Sequence, residues 1–128
     1  MRVMVVVCGA NGERSIILER AVEEFARKYF DRILQFSACT VAAAPILVQM
    51  SGGDPKHLVA VNGCRNRCSD LILKKAGMDP LVSIVLDDAT ERKLQACQSC
   101  TKYVFPDITE EECKRMARMM GEAVEAAQ

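Results

Sequence analysis

Val3-Met4-Val5-Val6-Val7-Cys8-Gly9-Ala10-Asn11-Gly12-Glu13-Arg14-Ser15 is the stretch on which the fold turns. Arg2 to Cys8 carries the β-branched residues Val3, Val5, Val6 and Val7, a run that suits a strand buried on both faces. Gly9 to Gly12 ends it. From Glu13 the period changes. Leu18, Val22, Phe25 and Tyr29 fall at i, i+4, i+7 and i+11, one stripe of an amphipathic helix.

The same alternation continues along the chain. Ile33–Ser37 reads as a second strand, followed by the small-residue segment Ala38–Ala44. Pro45–Met50 fits a strand or a helix turn equally well. Ser51 to Pro55 is a turn, His57–Val61 a third strand, and Asn66–Ala76 a helix stopped by Gly77 and Pro80. Leu81–Leu86 reads as a fourth strand and Thr90–Ala96 as a short helix. Thr109 with Glu112 forms a capping box for a last helix over about 109–127. Strands alternating with helices predict an α/β fold: one domain over 1–128, a small three-layer sandwich on a mostly parallel, doubly wound sheet of about four strands.

Composition narrows the function. The chain of 128 residues is 50% hydrophobic and 27% charged, and its 17 basic residues balance 17 acidic ones. A neutral balance does not suit a protein that coats a polyanion, and two Tyr, four Phe and no Trp make a poor base-stacking platform. No nucleic-acid partner is expected. The longest apolar stretch, Cys39–Met50, is broken by Thr40, Pro45 and Gln49 and is too short to span a bilayer. With no export signal at its start, the chain reads as cytoplasmic, with no membrane partner.

Sulfur is the outstanding feature. Seven cysteines stand at 8, 39, 64, 68, 97, 100 and 113. An odd number without an export signal does not suit a disulfide scaffold, which leaves metal ligation, thiol catalysis and core packing. Parallel sheets bind ligands outside the carboxyl ends of their strands. Cys8 closes the first strand, Cys39 follows the second, and Cys64 and Cys68 follow the third, so four thiols are expected at one rim. The positive ends of helices starting near Gly12 and Asn66 would favour thiolates there. Cys64 and Cys68 have a spacing that lets both reach one zinc ion. These four are the expected metal ligands, with zinc as the ion and an iron–sulfur cluster an alternative for the same thiolate set.

The stretch His57-Leu58-Val59-Ala60-Val61-Asn62-Gly63-Cys64-Arg65-Asn66-Arg67-Cys68, continuing through Leu71, Ile72, Lys75, Ala76 and Gly77, resembles the centre of the DGC-domain family, described as zinc-binding and named for an Asp-Gly-Cys motif. In that family the motif follows a strand, a second Cys comes four positions later, and a helix ends in Ala-Gly. Further cysteines stand at the end of the first strand and after the second, the places of Cys8 and Cys39. The resemblance spans about residues 3–90 and implies a metal site. It departs at Asn62, where the family has Asp.

Cys8-Gly9-Ala10-Asn11-Gly12-Glu13-Arg14-Ser15 also resembles the phosphate-binding loop of low-molecular-weight tyrosine phosphatases and the related arsenate reductases. Asn11 and Ser37-Ala38-Cys39-Thr40 add to that likeness. It implies a second reading: a thiol enzyme acting on a small oxyanion, with Cys8 as nucleophile and Arg14 as anion clamp. Glu13 departs from it by placing a negative charge in an anion-binding loop. The general acid of that family, an Asp-Pro-aromatic sequence near the C-terminus, is missing. Asp87 and Asp88 are the acid candidates left, while Asp54-Pro55 and Asp79-Pro80 read as turns.

Cys97-Gln98-Ser99-Cys100 follows a predicted helix and not a strand, which is the wrong context for a thioredoxin-like pair; a half metal site, completed by Cys113 or His57, is the other reading. Cys113 falls in one apolar stripe with Met116, Met120, Val124 and Ala127 and is expected in the core. His57, at the opposite edge from the thiols, reads as a capping or solvated histidine. A protein partner is not named by any feature of the sequence.

Overall fold

A computed structural model describes residues 2–95 and 108–128. Within them lie four strands, β1 (Val3–Val7), β2 (Ile33–Ser37), β3 (Asp54–Asn62) and β4 (Val82–Val85). The helices are α1 (Glu13–Tyr29), α2 (Ala38–Ala43), α3 (Pro45–Gln49), α4 (Cys68–Lys75) and α5 (Glu110–Ala127), with a 3₁₀ turn over Leu86–Ala89. The strands form one sheet in the order β2-β1-β3-β4, every pair parallel.

Alternation along the central strands makes the three layers. Val3, Val5 and Val7 of β1, with Val59 and Val61 of β3, face a core built with Ile17, Leu18 and Phe25 of α1 and Met116, Met120 and Val124 of α5. Met4 and Val6, with Leu58 and Ala60, face a second core with Val41 of α2, Val48 of α3 and Leu73 of α4. A strand covered on both sides has no polar face to show, which is why β1 is apolar at every position. Its five residues are all buried.

The stripe on α1 faces inward as predicted, with Leu18, Phe25 and Tyr29 buried. The capping box of α5 is formed in both directions: Thr109 Oγ1 accepts from the Glu112 N–H at 3.2 Å and Glu112 Oε2 from the Thr109 N–H at 3.1 Å. Cys113, Met116, Met120, Val124 and Ala127 are all buried beneath α5. Burial pushes the Cys113 thiol above its ordinary pKa, as a packed and protonated core sulfur requires.

One open alternative is settled and three local expectations are corrected. Pro45–Gln49 is a helix, entered through Pro45 at its first position, where a missing N–H costs nothing. Asp54 and Pro55 begin β3 and do not form a turn. The helix after β3 starts at Cys68, two residues later than Asn66. Residues 90–95 of the expected Thr90–Ala96 helix are irregular, and the helical turn lies earlier, over Leu86–Ala89. There the Gln95 N–H is taken by the Glu13 carboxylate at 2.6 Å, a tertiary bond that competes with helix formation. His57 lies within β3, half-buried, with Nδ1 bonded to the Ala127 carbonyl at the end of α5 and Nε2 3.4 Å from Asp54 Oδ2.

Candidate functional site: the carboxyl edge of the sheet

The chain leaves β1 for β2 on one side and later returns to the other side of β1 as β3. The loops after β1 and β3 therefore diverge at the point where strand order reverses, the place where open parallel sheets hold ligands. Cys8 opens the first loop, its N–H donating to the Val61 carbonyl at 3.0 Å, and Cys64 opens the second, one residue beyond Gly63.

Both loops are tightly held. Ala10 (φ 53°), Gly12 (φ 65°) and Arg67 (φ 52°) are left-handed, and the two that are not glycine each store local strain. Gly63 lies so close to the first loop that a Cβ there would stand 2.5 Å from the Ala10 Cβ and 3.0 Å from Leu18 Cδ1. The Cys64 carbonyl accepts from the Arg67 N–H at 3.1 Å, closing a turn that delivers Cys68 to the start of α4.

Asn62 fixes that turn from below. It is fully buried. Its Oδ1 accepts from the Ser69 N–H at 3.0 Å, and its Nδ2 donates to Ser83 Oγ at 3.2 Å and the Ile84 carbonyl at 3.1 Å. Ser83 donates on to Asp70, and Arg67 reaches both Ser83 and Asp70. An Asp at this position would lack the donor that the Ile84 carbonyl receives, so Asn62 has a structural use of its own in joining β3, β4 and α4.

Cys64 is buried, Cys8 and Cys68 are half-buried, and Cys39, the second residue of α2, is exposed. They occupy the ends of three adjoining strands, as the spacing predicts. A groove of about 300 Å³ opens beside Cys8, between the start of α1 and the end of β2, with Ser15, Glu19, Gln35 and Ser37 on its walls. Among the described residues, no three His, Cys, Asp or Glu side chains stand together as a set able to hold a metal ion. The donors are thus of the right chemical type for zinc but are not assembled into a cage. Cys97 and Cys100 lie outside the described residues.

Arg14 is neither the open anion clamp of the second reading nor a surface arginine. It is buried at 5% exposure. Its guanidinium donates to Asp87 Oδ1 at 2.5 Å, Asp87 Oδ2 at 3.1 Å, the Gly63 carbonyl at 2.7 Å and the Gln95 carbonyl at 2.7 Å. Asp87, expected as an acid candidate, is held below the usual carboxylate range, first by the Arg14 hydrogen bond and despite its partial burial. A carboxyl kept ionised in this way is a poor proton donor near neutral pH. Asp88 pairs at the surface with Arg65, 3.0 Å away.

Glu13 extends the same seam. Buried at 5% exposure, it pairs with Arg92 at 3.0 Å, and Arg92 pairs in turn with Glu112 at 2.6 Å. The charge that departs from the phosphatase-like pattern is therefore turned inward and neutralised. This seam joins the start of α1, the segment after β4 and the start of α5. Its members lie far apart in sequence, so no local pattern announces it.

Comparisons with protein-family models, with curated proteins and with solved structures find no match to this chain. Among the described residues no helix is long and apolar enough to cross a membrane.

Proposed function

We propose that this chain binds zinc through cysteine thiolates at the carboxyl rim, with Cys8, Cys39, Cys64 and Cys68 as ligands and a structural, regulatory or metal-handling role. The observation that carries the reading is the position of Cys8 and of the Cys64–Cys68 turn on the two loops that part at the switch point, which puts thiol side chains on both. Thiolate sulfur suits zinc, and a four-thiolate site is closed, with no open position for substrate. Since the ligands are not assembled beforehand, binding draws the three loops together. Metal affinity and loop order are then coupled, and protons leave the thiols as the ion enters.

An oxyanion-handling enzyme at Cys8 is the second reading. It requires an anion to displace Asp87 from Arg14, and for that reason it ranks below metal binding. The test is zinc competition against a chromogenic chelator, using reduced chain and its Cys64→Ser, Cys68→Ser and Cys113→Ala variants. The reading expects Cys64→Ser and Cys68→Ser each to weaken zinc binding by roughly a hundredfold while Cys113→Ala leaves it intact. Equal zinc affinity in all four proteins would overturn it. A visible charge-transfer band after iron and sulfide reconstitution, with no zinc uptake, would replace zinc with an iron–sulfur cluster.

A further inference from the structure

We propose that β2 and α3 form an interface between two copies of this chain, paired about a two-fold axis. Three observations lead there.

The first is an open strand edge. Among the described residues β2 pairs with β1 alone, in regular register from Val3↔Ile33 to Val7↔Ser37, and its outer backbone groups have no strand partner there. Sheet edges that must stay single are ordinarily protected by Lys, Pro, a bulge or a covering element. Ile33-Leu34-Gln35-Phe36-Ser37 contains neither Lys nor Pro and has no bulge against β1.

The second is an apolar surface beside that edge. The β1–β2 register sets Leu34 and Phe36 level with Met4 and Val6, on the sheet face that α3 covers through Val48. On the outer side of α3, Ile46 and Leu47 are each 68% exposed and Met50, just past its end, is 75% exposed. Strand edge and helix thus bring partly exposed Leu34 and Phe36 and exposed Ile46, Leu47 and Met50 to the same side of the sheet. Exposed apolar side chains grouped in this way mark an interaction surface.

The third observation selects the occupant. Ile33–Gly53 contains no Asp, Glu, Lys, Arg or His, in a chain that is 27% charged. Arg32, just before it, is turned onto the Tyr29 ring, with its guanidinium carbon 4.2 Å from the ring centroid. In an isologous interface the residues nearest the two-fold axis face their own copies, so a charge there would meet its own sign. This surface carries none. An anionic lipid surface would be drawn by Lys and Arg among the apolar residues, and this surface has neither. A second copy therefore fits best: two β2 edges run antiparallel across the axis, making one continuous sheet, and the two α3 helices pack their outer faces together.

The test is sedimentation equilibrium of the full chain over a concentration series, with reductant and chelator present so that neither a Cys39 disulfide nor a shared metal can link copies. The proposal expects a reversible dimer. Leu47→Lys, an exposed position with little effect on folding, is expected to weaken it by roughly tenfold or more, whereas Leu81→Lys, exposed beside the opposite sheet edge, leaves it unchanged. Hydrogen exchange gives a second readout: β2 amides become slower to exchange as wild-type concentration rises, and not in Leu47→Lys. A chain that stays monomeric throughout, or a dimer indifferent to Leu47→Lys, overturns the proposal. In the monomeric case the surface belongs to a different protein.

Discussion

Replacing Asp87 with Asn isolates the ion pair that replaced the expected anion clamp. The side chain keeps its size and one acceptor oxygen, but the charge is lost and an amide N–H now confronts Arg14 Nη2. Two charge-assisted bonds, 2.5 and 3.1 Å long, are affected. Each such bond is worth up to ~3 kcal/mol, and breaking a fully buried pair costs ~3–5 kcal/mol. The Asp87 side chain is 22% exposed against 6% for Arg14, so water recovers part of the loss. The net expectation is about 3 kcal/mol, a large share of a typical domain's stability and roughly 10 °C in Tm. Urea unfolding should show a lower midpoint with an unchanged slope. A cycle with Arg14→Met should return a coupling of about 2 kcal/mol or more.

The pH dependence carries a sign. Because the folded Asp87 pKa is lowered, its contribution is complete above the ordinary value of 3.8 and is lost as pH falls through the lower folded value. Glu112 adds in the same direction: burial raises it, but the Arg92 bond and the Thr109 N–H together bring it below 4.5. Acid unfolding should therefore be steep below about pH 4 in the wild type and shallower in Asp87→Asn. A destabilisation under ~0.5 kcal/mol, the value of an exposed pair, would refute the reasoning.

Other substitutions probe the loops around the thiols. Gly63→Ala puts a Cβ 2.5 Å from that of Ala10, so it should cost about 1–3 kcal/mol and change the alkylation rate of Cys8. Equal stability and equal reactivity would mean that the two loops are not in close contact. Asn62→Asp, which introduces a carboxylate in place of the amide, removes the donors to Ser83 and Ile84 and should cost about 1–3 kcal/mol in urea unfolding of the metal-free chain. A gain in stability would contradict the role given to the amide.

The parts of the fold that were legible in the sequence are those set by local pattern. The apolar run Val3–Val7, the stripe on α1 and the Thr109–Glu112 capping box each involve residues within a few turns or steps of one another. The order of strands and helices followed from them. Pro45–Gln49 was not decidable, because five mostly apolar residues fit either period. Residues 90–95 misled for a different reason. Glu91, Arg92, Lys93 and Leu94 have helical composition, but Arg92 and the Gln95 N–H are committed to Glu13 and Glu112 on distant elements.

The site divides along the same line. Strand ends placed Cys8, Cys39, Cys64 and Cys68 at one rim, since topology follows from the alternation of elements. The ion pair of Arg14 is not legible in the sequence, because its partner, Asp87, lies 73 residues away and nothing in the spacing of Cys8 and Arg14 announces it. Asn62 shows the converse: a residue whose use the fold itself accounts for, through β4 and α4.

The most direct measurement of the central claim is metal content by plasma mass spectrometry on untagged protein, expressed with zinc supplied and purified without chelator, together with a count of reactive thiols. Metal binding at the rim predicts about one zinc per chain, with four thiols masked until chelator is added, and loss of that zinc in Cys64→Ser. A metal-free chain whose rim thiols all react at once would contradict it, and Cys8 would then be tested as a nucleophile with phosphate and arsenate.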